Sequence, residues 1–226
     1  MNNFWVTEEG AWGDGSVHLT MAGVIIILAI ILVLWIMAAV LKQKNAKSKA
    51  KLTTKQLVFS AMAIALAVVC SMIKVFEMPM GGSVTLFSML FIVLIAYWYG
   101  PSVGIVTAVA YGLVQFVMEP IFYTVPQMLF DYPLAFGALG LAGFFHQKKF
   151  GLQIGYLAGV LGRFVFATIS GVLFFASYAP EGMNPFVYSV AYQASYLVPE
   201  AIITMVIIFI PQVVRAIGYV KRQAVE

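Results

Sequence analysis

Residues Gln56 to Ile73 read QLVFSAMAIALAVVCSMI, eighteen positions without a charge. At about 1.5 Å per helical residue such a run covers about 27 Å, close to the hydrocarbon thickness of a bilayer. An open sheet would leave backbone groups unpaired in lipid, so the run reads as a helix that crosses a membrane. Comparable runs lie at Met21 to Leu41, Val84 to Tyr99, Val103 to Met118, Pro126 to Phe145, Leu152 to Ser177 and Pro185 to Pro211. The composition agrees: of 226 residues 62% are apolar and 10% charged, whereas a soluble domain carries about a quarter charged residues. The fold class expected is an all-α integral membrane protein, a six-helix core with one additional N-terminal transmembrane helix.

The net charge of +4 is explained by where the charges sit and needs no nucleic acid as partner. Lys42, Lys44, Lys47, Lys49, Lys51 and Lys55 follow the first span, and the positive-inside rule places that run in the cytoplasm. Counting onward puts the Gly100–Ser102 turn, the His146-Gln147-Lys148-Lys149 loop and the tail with Arg215, Lys221 and Arg222 on the same side. The outward connections are then Lys74 to Ser83, Glu119 to Val125 and Tyr178 to Asn184, the natural places for a binding site. The chain divides into an extracellular segment (1–20), an appended transmembrane helix (21–41), a basic cytoplasmic linker (42–55), a membrane domain (56–214) and a basic cytoplasmic tail (215–226). The first span is preceded by Glu8, Glu9 and Asp14, the wrong charge for a secretion signal, so it reads as a retained anchor or assembly helix in a multi-pass protein of the cell membrane, N-terminus outside.

Ala61 and Ala65, like Ala63 and Ala67, stand four apart and flatten a helix face, which lets another helix approach closely in lipid. Ala61 and Ala65 either pack within the chain or form a surface for another membrane subunit; spacing leaves both open. The series Gly104, Ala108, Gly112 and Gly155, Gly159, Gly162 read as internal packing. Cys70 lies inside a span and has no partner for a disulfide, since it is the only cysteine.

A charge inside a span costs several kcal/mol unless it is paired or wetted, which singles out Asp131, Arg163 and Glu200. Asp131 sits near the outer start of its helix, with Gln127 one turn before it and Tyr132 beside it; Thr124 is placed to cap that helix and Pro126 to open it. Asp131 is either a counter-charge for a cationic or amine-bearing ligand or a carboxylate stabilised by the helix dipole. Arg163 and Glu200 reach similar depth and are expected to form a structural ion pair; alternatively Glu200 shuttles protons in a self-sufficient carrier. Ser189, Gln193, Tyr196 and Glu200 make one polar stripe on the last span, flanked by Tyr188 and Tyr192. Such a stripe must face protein or a cavity, and amide, carboxylate and aromatic walls suit a flat, nitrogen-rich heterocycle. The sequence carries no P-loop signature, no HExxH and no His/Cys cluster for a metal, with His18 and His146 far apart; an energy source is expected from elsewhere, and the chain is not expected to be an enzyme.

The core resembles the thiamine-specific substrate-binding components of energy-coupling factor transporters. The resemblance runs from about Lys55 to the end. It is carried by Ala61-Met62-Ala63-Ile64-Ala65-Leu66, by Pro126-Gln127-Met128-Leu129-Phe130-Asp131-Tyr132-Pro133-Leu134-Ala135-Phe136, by Gly162-Arg163-Phe164, by Gly171 through Met183 with its Ser177-Tyr178-Ala179-Pro180 run, and by Tyr188 with Ser195-Tyr196. It implies a six-helix membrane protein that opens its site outward, closes loops over the vitamin, and depends on a shared module of one membrane scaffold and two ATPases. The alanine face at Ala61 and Ala65 then looks like the docking face for that scaffold. Carried over residue by residue, the acidic ligand contact falls on Asp131, where glutamate is expected; the tyrosine on Tyr188; the stacking aromatic on Phe175, where tryptophan is usual; and the asparagine on Gln193. The expected histidine is Ala167. These departures imply an altered thiamine pose or a related ligand such as a pyrimidine precursor. The expected site is Gln127, Asp131, Tyr132, Phe175, Tyr188, Gln193 and Tyr196, with thiamine as ligand and no resident cofactor.

Overall fold

The structure, a computed structural model, describes residues 6–7, 18–19, 52–77 and 82–226. The appended helix expected at Met21 to Leu41 and most of the expected lysine linker lie outside the described residues. Val6–Thr7 (β1) and His18–Leu19 (β2) pair antiparallel. The other elements among the described residues are helices and one pair of strands. Thr54–Met72 (α1) is followed by the strands Lys74–Glu77 (β3) and Ser83–Thr85 (β4), then by Ser88–Tyr99 (α2) and Pro101–Met118 (α3). Val125–Phe145 (α4), Gly151–Phe174 (α5), Pro185–Ile208 (α6) and Pro211–Val225 (α7) complete the chain.

Five of these helices, α1, α3, α4, α5 and α6, are long and apolar enough to cross a membrane. The protein is a multi-pass membrane protein, and the large apolar side chains on its periphery, Val117, Leu161, Ile202 and Val206 among them, are exposed where lipid surrounds it. The span expected at Val84 to Tyr99 is corrected. Val84 and Thr85 belong to β4, and the helix that follows has only 12 residues, about 18 Å at the usual helical rise. It is apolar all round because it is enclosed all round: Met89, Ile92, Val93, Ile95 and Ala96 are each 0% exposed. The tail from Arg215 onward is also helical. Tyr99 Oη donates to the Ala224 carbonyl at 2.8 Å, and the Lys221 ammonium lies 4.4 Å from the centre of the Tyr97 ring, so α7 is fastened to the end of α2.

The local signals are physical. Thr53 and Gln56 cap α1 reciprocally. Thr124 Oγ1 accepts from Gln127 N at 3.2 Å at the start of α4, as expected. Between α2 and α3 the chain turns at Gly100, whose φ of 86° suits a residue without a Cβ, and Pro101 follows in the first turn of α3. Small residues then let the helices meet, as expected from their spacing. Gly155 and Gly159 lie against the backbone of Ala142 and Leu139, Gly104 against Ala96, and Gly112 against the Tyr132 carbonyl. The α1 alanines divide between two faces. Ala63 and Ala67 are buried at 7% and 0%, while Ala61 and Ala65 are exposed on the opposite side of the helix.

Candidate functional site

At the hairpin end of the bundle a cavity of about 200 Å³ lies among α3, α4, α5, α6 and β4. The first wall comes from a distortion in α4. Pro133 has no N–H to donate back along the helix, and residues Phe130–Leu134 widen into a π-helical turn. Asp131 and Tyr132 sit on that turn, and both line the cavity. Asp131 Oδ2 accepts from Gln127 Nε2 at 2.5 Å. The Tyr132 hydroxyl donates to the Glu119 carbonyl at 2.7 Å and accepts from Ile121 N at 2.9 Å, which ties the α3–α4 connection to the turn.

The second wall is α5, which presents Arg163, Ala167 and Gly171 one turn apart, and the third is the polar stripe of α6. Ser189, Gln193, Tyr196 and Glu200 are 3%, 9%, 8% and 2% exposed, and all four line the cavity, so the stripe faces inward as its spacing required. Gln193 is held at both ends of its amide: Nε2 donates to the Ala167 carbonyl at 3.3 Å and Oε1 accepts from the Tyr196 hydroxyl. Aromatic rings close the rim. Phe175 packs edge-on against Tyr123 at 5.4 Å, Tyr123 and Tyr178 share a hydrogen bond between hydroxyls at 3.0 Å, and Tyr188 lies 6.1 Å from Tyr192.

Six of the seven expected site residues therefore line one cavity: Asp131, Tyr132, Phe175, Tyr188, Gln193 and Tyr196. Gln127 is the exception. It is fully buried behind the wall, where Oε1 accepts from Tyr123 N at 3.0 Å and Nε2 donates to the Ile121 carbonyl at 3.2 Å as well as to Asp131. It orients the carboxylate and the loop and does not face the cavity. The expected Arg163–Glu200 ion pair is not formed. Among the described residues the ion pairs are those of Lys74, and the Arg163 guanidinium lies over the Phe136 ring, 4.1 Å from its centre. Glu200 instead takes hydrogen bonds from Thr85 and Ser88. Similar depth on two helices does not make a pair when nearer donors reach the carboxylate from a third element.

Sequence reasoning assigned Thr85 and Ser88 to a span and so missed them. The signal was present, since Gly81-Gly82 between Lys74–Glu77 and Ser83–Thr85 is a hairpin pattern. At the start of β3, Lys74 Nζ lies 2.6 Å from carboxylate oxygens of both Glu77 and Glu119. These two carboxylates raise the Lys74 pKa above the ordinary lysine value, Glu119 contributing most.

Comparison with known proteins places this architecture. Residues 57–218 match the model of the family described as thiamine transporter protein (Thia_YuaJ). The thiamine transporter ThiT of Bacillus subtilis is 34% identical over 165 residues, which are 67% of this chain and 84% of that protein. ThiT of Lacticaseibacillus paracasei is 27% identical over 127 residues, 50% of this chain and 61% of that protein. A solved structure of ThiT from Listeria monocytogenes superposes with a TM-score of 0.57 over 70% of this chain and 96% of that one, at 20% identity, and shows the same fold. By the extent of the family match and the identity to its Bacillus relative, this chain belongs to the thiamine transporter family.

Proposed function

We propose that this protein is the substrate-binding subunit of an energy-coupling factor transporter that imports thiamine or a close analogue. The observation that carries the reading is the Asp131 carboxylate on the wall of an aromatic-rimmed cavity in a chain of this family. Of the charged residues lining the cavity, Glu119 is paired with Lys74, which leaves the Asp131 and Glu200 carboxylates against the Arg163 guanidinium. Thiamine bears a permanent positive charge and an aminopyrimidine, and such a lining attracts it. Asp131 is the polar contact, Tyr188 and Phe175 supply aromatic faces, and Gln193, Tyr196 and Tyr132 complete the walls. Ala167, where the resemblance implies a histidine, lines the cavity one turn beyond Arg163.

The protein itself hydrolyses no ATP. Release into the cell depends on a module of one membrane scaffold and two ATPases, which docks on the exposed alanine face at Ala61 and Ala65. In this reading the short α2 counts as the sixth helix of the core, and the hairpin end faces outward while Lys148, Lys149, Arg215 and Arg222 lie inside.

Titration of the purified protein in detergent with thiamine, its pyrimidine half, its thiazole half and riboflavin tests the ligand. Saturable submicromolar binding of thiamine supports the reading; binding of a fragment or riboflavin alone keeps the architecture and replaces the substrate. Uptake that persists without the ATPase module and collapses with an uncoupler points instead to a proton-coupled carrier.

A further inference from the structure

Glu200 is the most deeply buried carboxylate among the described residues, 2% exposed, and its hydrogen bonds run to an element more than a hundred residues away in sequence. Oε2 accepts from Thr85 N at 3.3 Å and from Thr85 Oγ1 at 2.8 Å, and Oε1 accepts from Ser88 Oγ at 3.2 Å. Thr85 ends β4, Ser88 begins α2, and Phe87 between them takes a φ of 63°, which an L side chain rarely adopts. One carboxylate thus holds the junction where the hairpin enters the bundle. A second fastening lies eight residues earlier on α6, where the Tyr192 hydroxyl accepts from Gly82 N at 3.0 Å. Eight helical residues rise about 12 Å, and the three residues from Gly82 to Thr85 span about 10 Å as a strand. The two spacings match, so the segment from Gly82 through β4 lies along α6 and is strapped to it at both ends. Gly82, Ser83 and Thr85 line the cavity from that position.

We propose that Glu200 is a positioning residue for the thiamine site: by holding Thr85 and Ser88 it sets where β4 closes the cavity, and so governs how long a ligand stays. This rests on the ligand reading above for its consequence but not for its geometry.

Backbone hydrogen exchange of the ligand-free full chain is the test, with Glu200→Gln, Thr85→Val and the hydroxyl-keeping Thr85→Ser. Glutamine keeps the size of Glu200 but loses an acceptor oxygen; valine keeps the shape of threonine and loses the hydroxyl. The expected result is exchange at residues 82–85 at least tenfold faster in Glu200→Gln and severalfold faster in Thr85→Val. Thr85→Ser should behave as the parent, and α5 should be unchanged in all three. Thiamine dissociation should speed up in the same order while association changes less. Unchanged exchange at 82–85 in both disruptive variants overturns the proposal, as does acceleration spread evenly over every helix, which marks a general loss of stability. Because exchange is read without ligand, a protein that loosens its hairpin as expected yet never binds thiamine refutes the ligand reading alone. If Glu200→Gln does not fold, the Thr85 pair decides.

Discussion

Replacing Asp131 with asparagine removes a charge and almost nothing else, and the surroundings show why the effect on binding can be separated from folding. Asp131 Oδ2 is already occupied by Gln127 Nε2, and an asparagine Oδ1 can accept that same hydrogen bond. The side chain then turns its amide toward the cavity, where a carboxylate oxygen had been. A hydrogen bond to a charged group contributes about 1.5–3 kcal/mol, and about 1.4 kcal/mol is a factor of ten in affinity. Thiamine should therefore bind Asp131→Asn about ten- to a hundredfold more weakly. Calorimetric titration in detergent measures the affinity, and thermal unfolding of the ligand-free protein measures the fold. Unchanged affinity would remove Asp131 from the site. A weakened affinity matched by a lowered unfolding temperature would show that the carboxylate serves Gln127 and the loop rather than the ligand.

Gln127→Leu removes the amide that holds the Ile121 carbonyl and the Tyr123 N–H, both only partly buried, so it should lower stability by about 0.5–1.5 kcal/mol, read as a fall in unfolding temperature; an unshifted transition would mean that water replaces the amide. Gly159→Leu drives a side chain into the Leu139 backbone and should cost about 1–3 kcal/mol through overpacking, with no effect expected from a similar change at exposed Val165. The Lys74 tie to Glu119 and Glu77 raises the lysine pKa. Its contribution is therefore complete below the ordinary lysine value and is lost only as pH climbs through the higher folded one. Intrinsic-rate-corrected exchange of β3 should then stay flat from about pH 7 to about pH 9, and loosening within that window would contradict the tie. A bulky residue at Ala61 or Ala65 should abolish uptake and leave thiamine binding intact; equal loss of binding would show that these alanines pack within the chain.

The membrane class, five of the spans and the inward direction of the α6 stripe were legible in the sequence, because each follows from local periodicity and from what lipid forbids. Thr124 as a cap and the glycine series as packing faces were legible for the same reason, since capping and close approach act within a turn or at a fixed helical spacing. The hairpin was not read, although its glycine pair was visible, because a hydropathy run starting at Val84 gave the stronger signal. Nor was the shortness of α2, whose apolar surface says only that it is buried and not in what.

What the sequence by itself determined is the set of polar residues that cannot face lipid: Asp131, Arg163, Gln193 and Glu200 had to turn inward, and they did. What only the tertiary structure decided is their partners. Gln127 stands one turn from Asp131 on the same helix, yet it faces the loop and not the cavity. Glu200 and Arg163 share a depth, yet the carboxylate goes to Thr85 and Ser88 while the guanidinium goes to Phe136. Periodicity fixes the direction in which a side chain leaves its helix. A hydrogen bond needs a donor within about 3 Å, and that distance is set only when elements far apart in the chain are packed against one another.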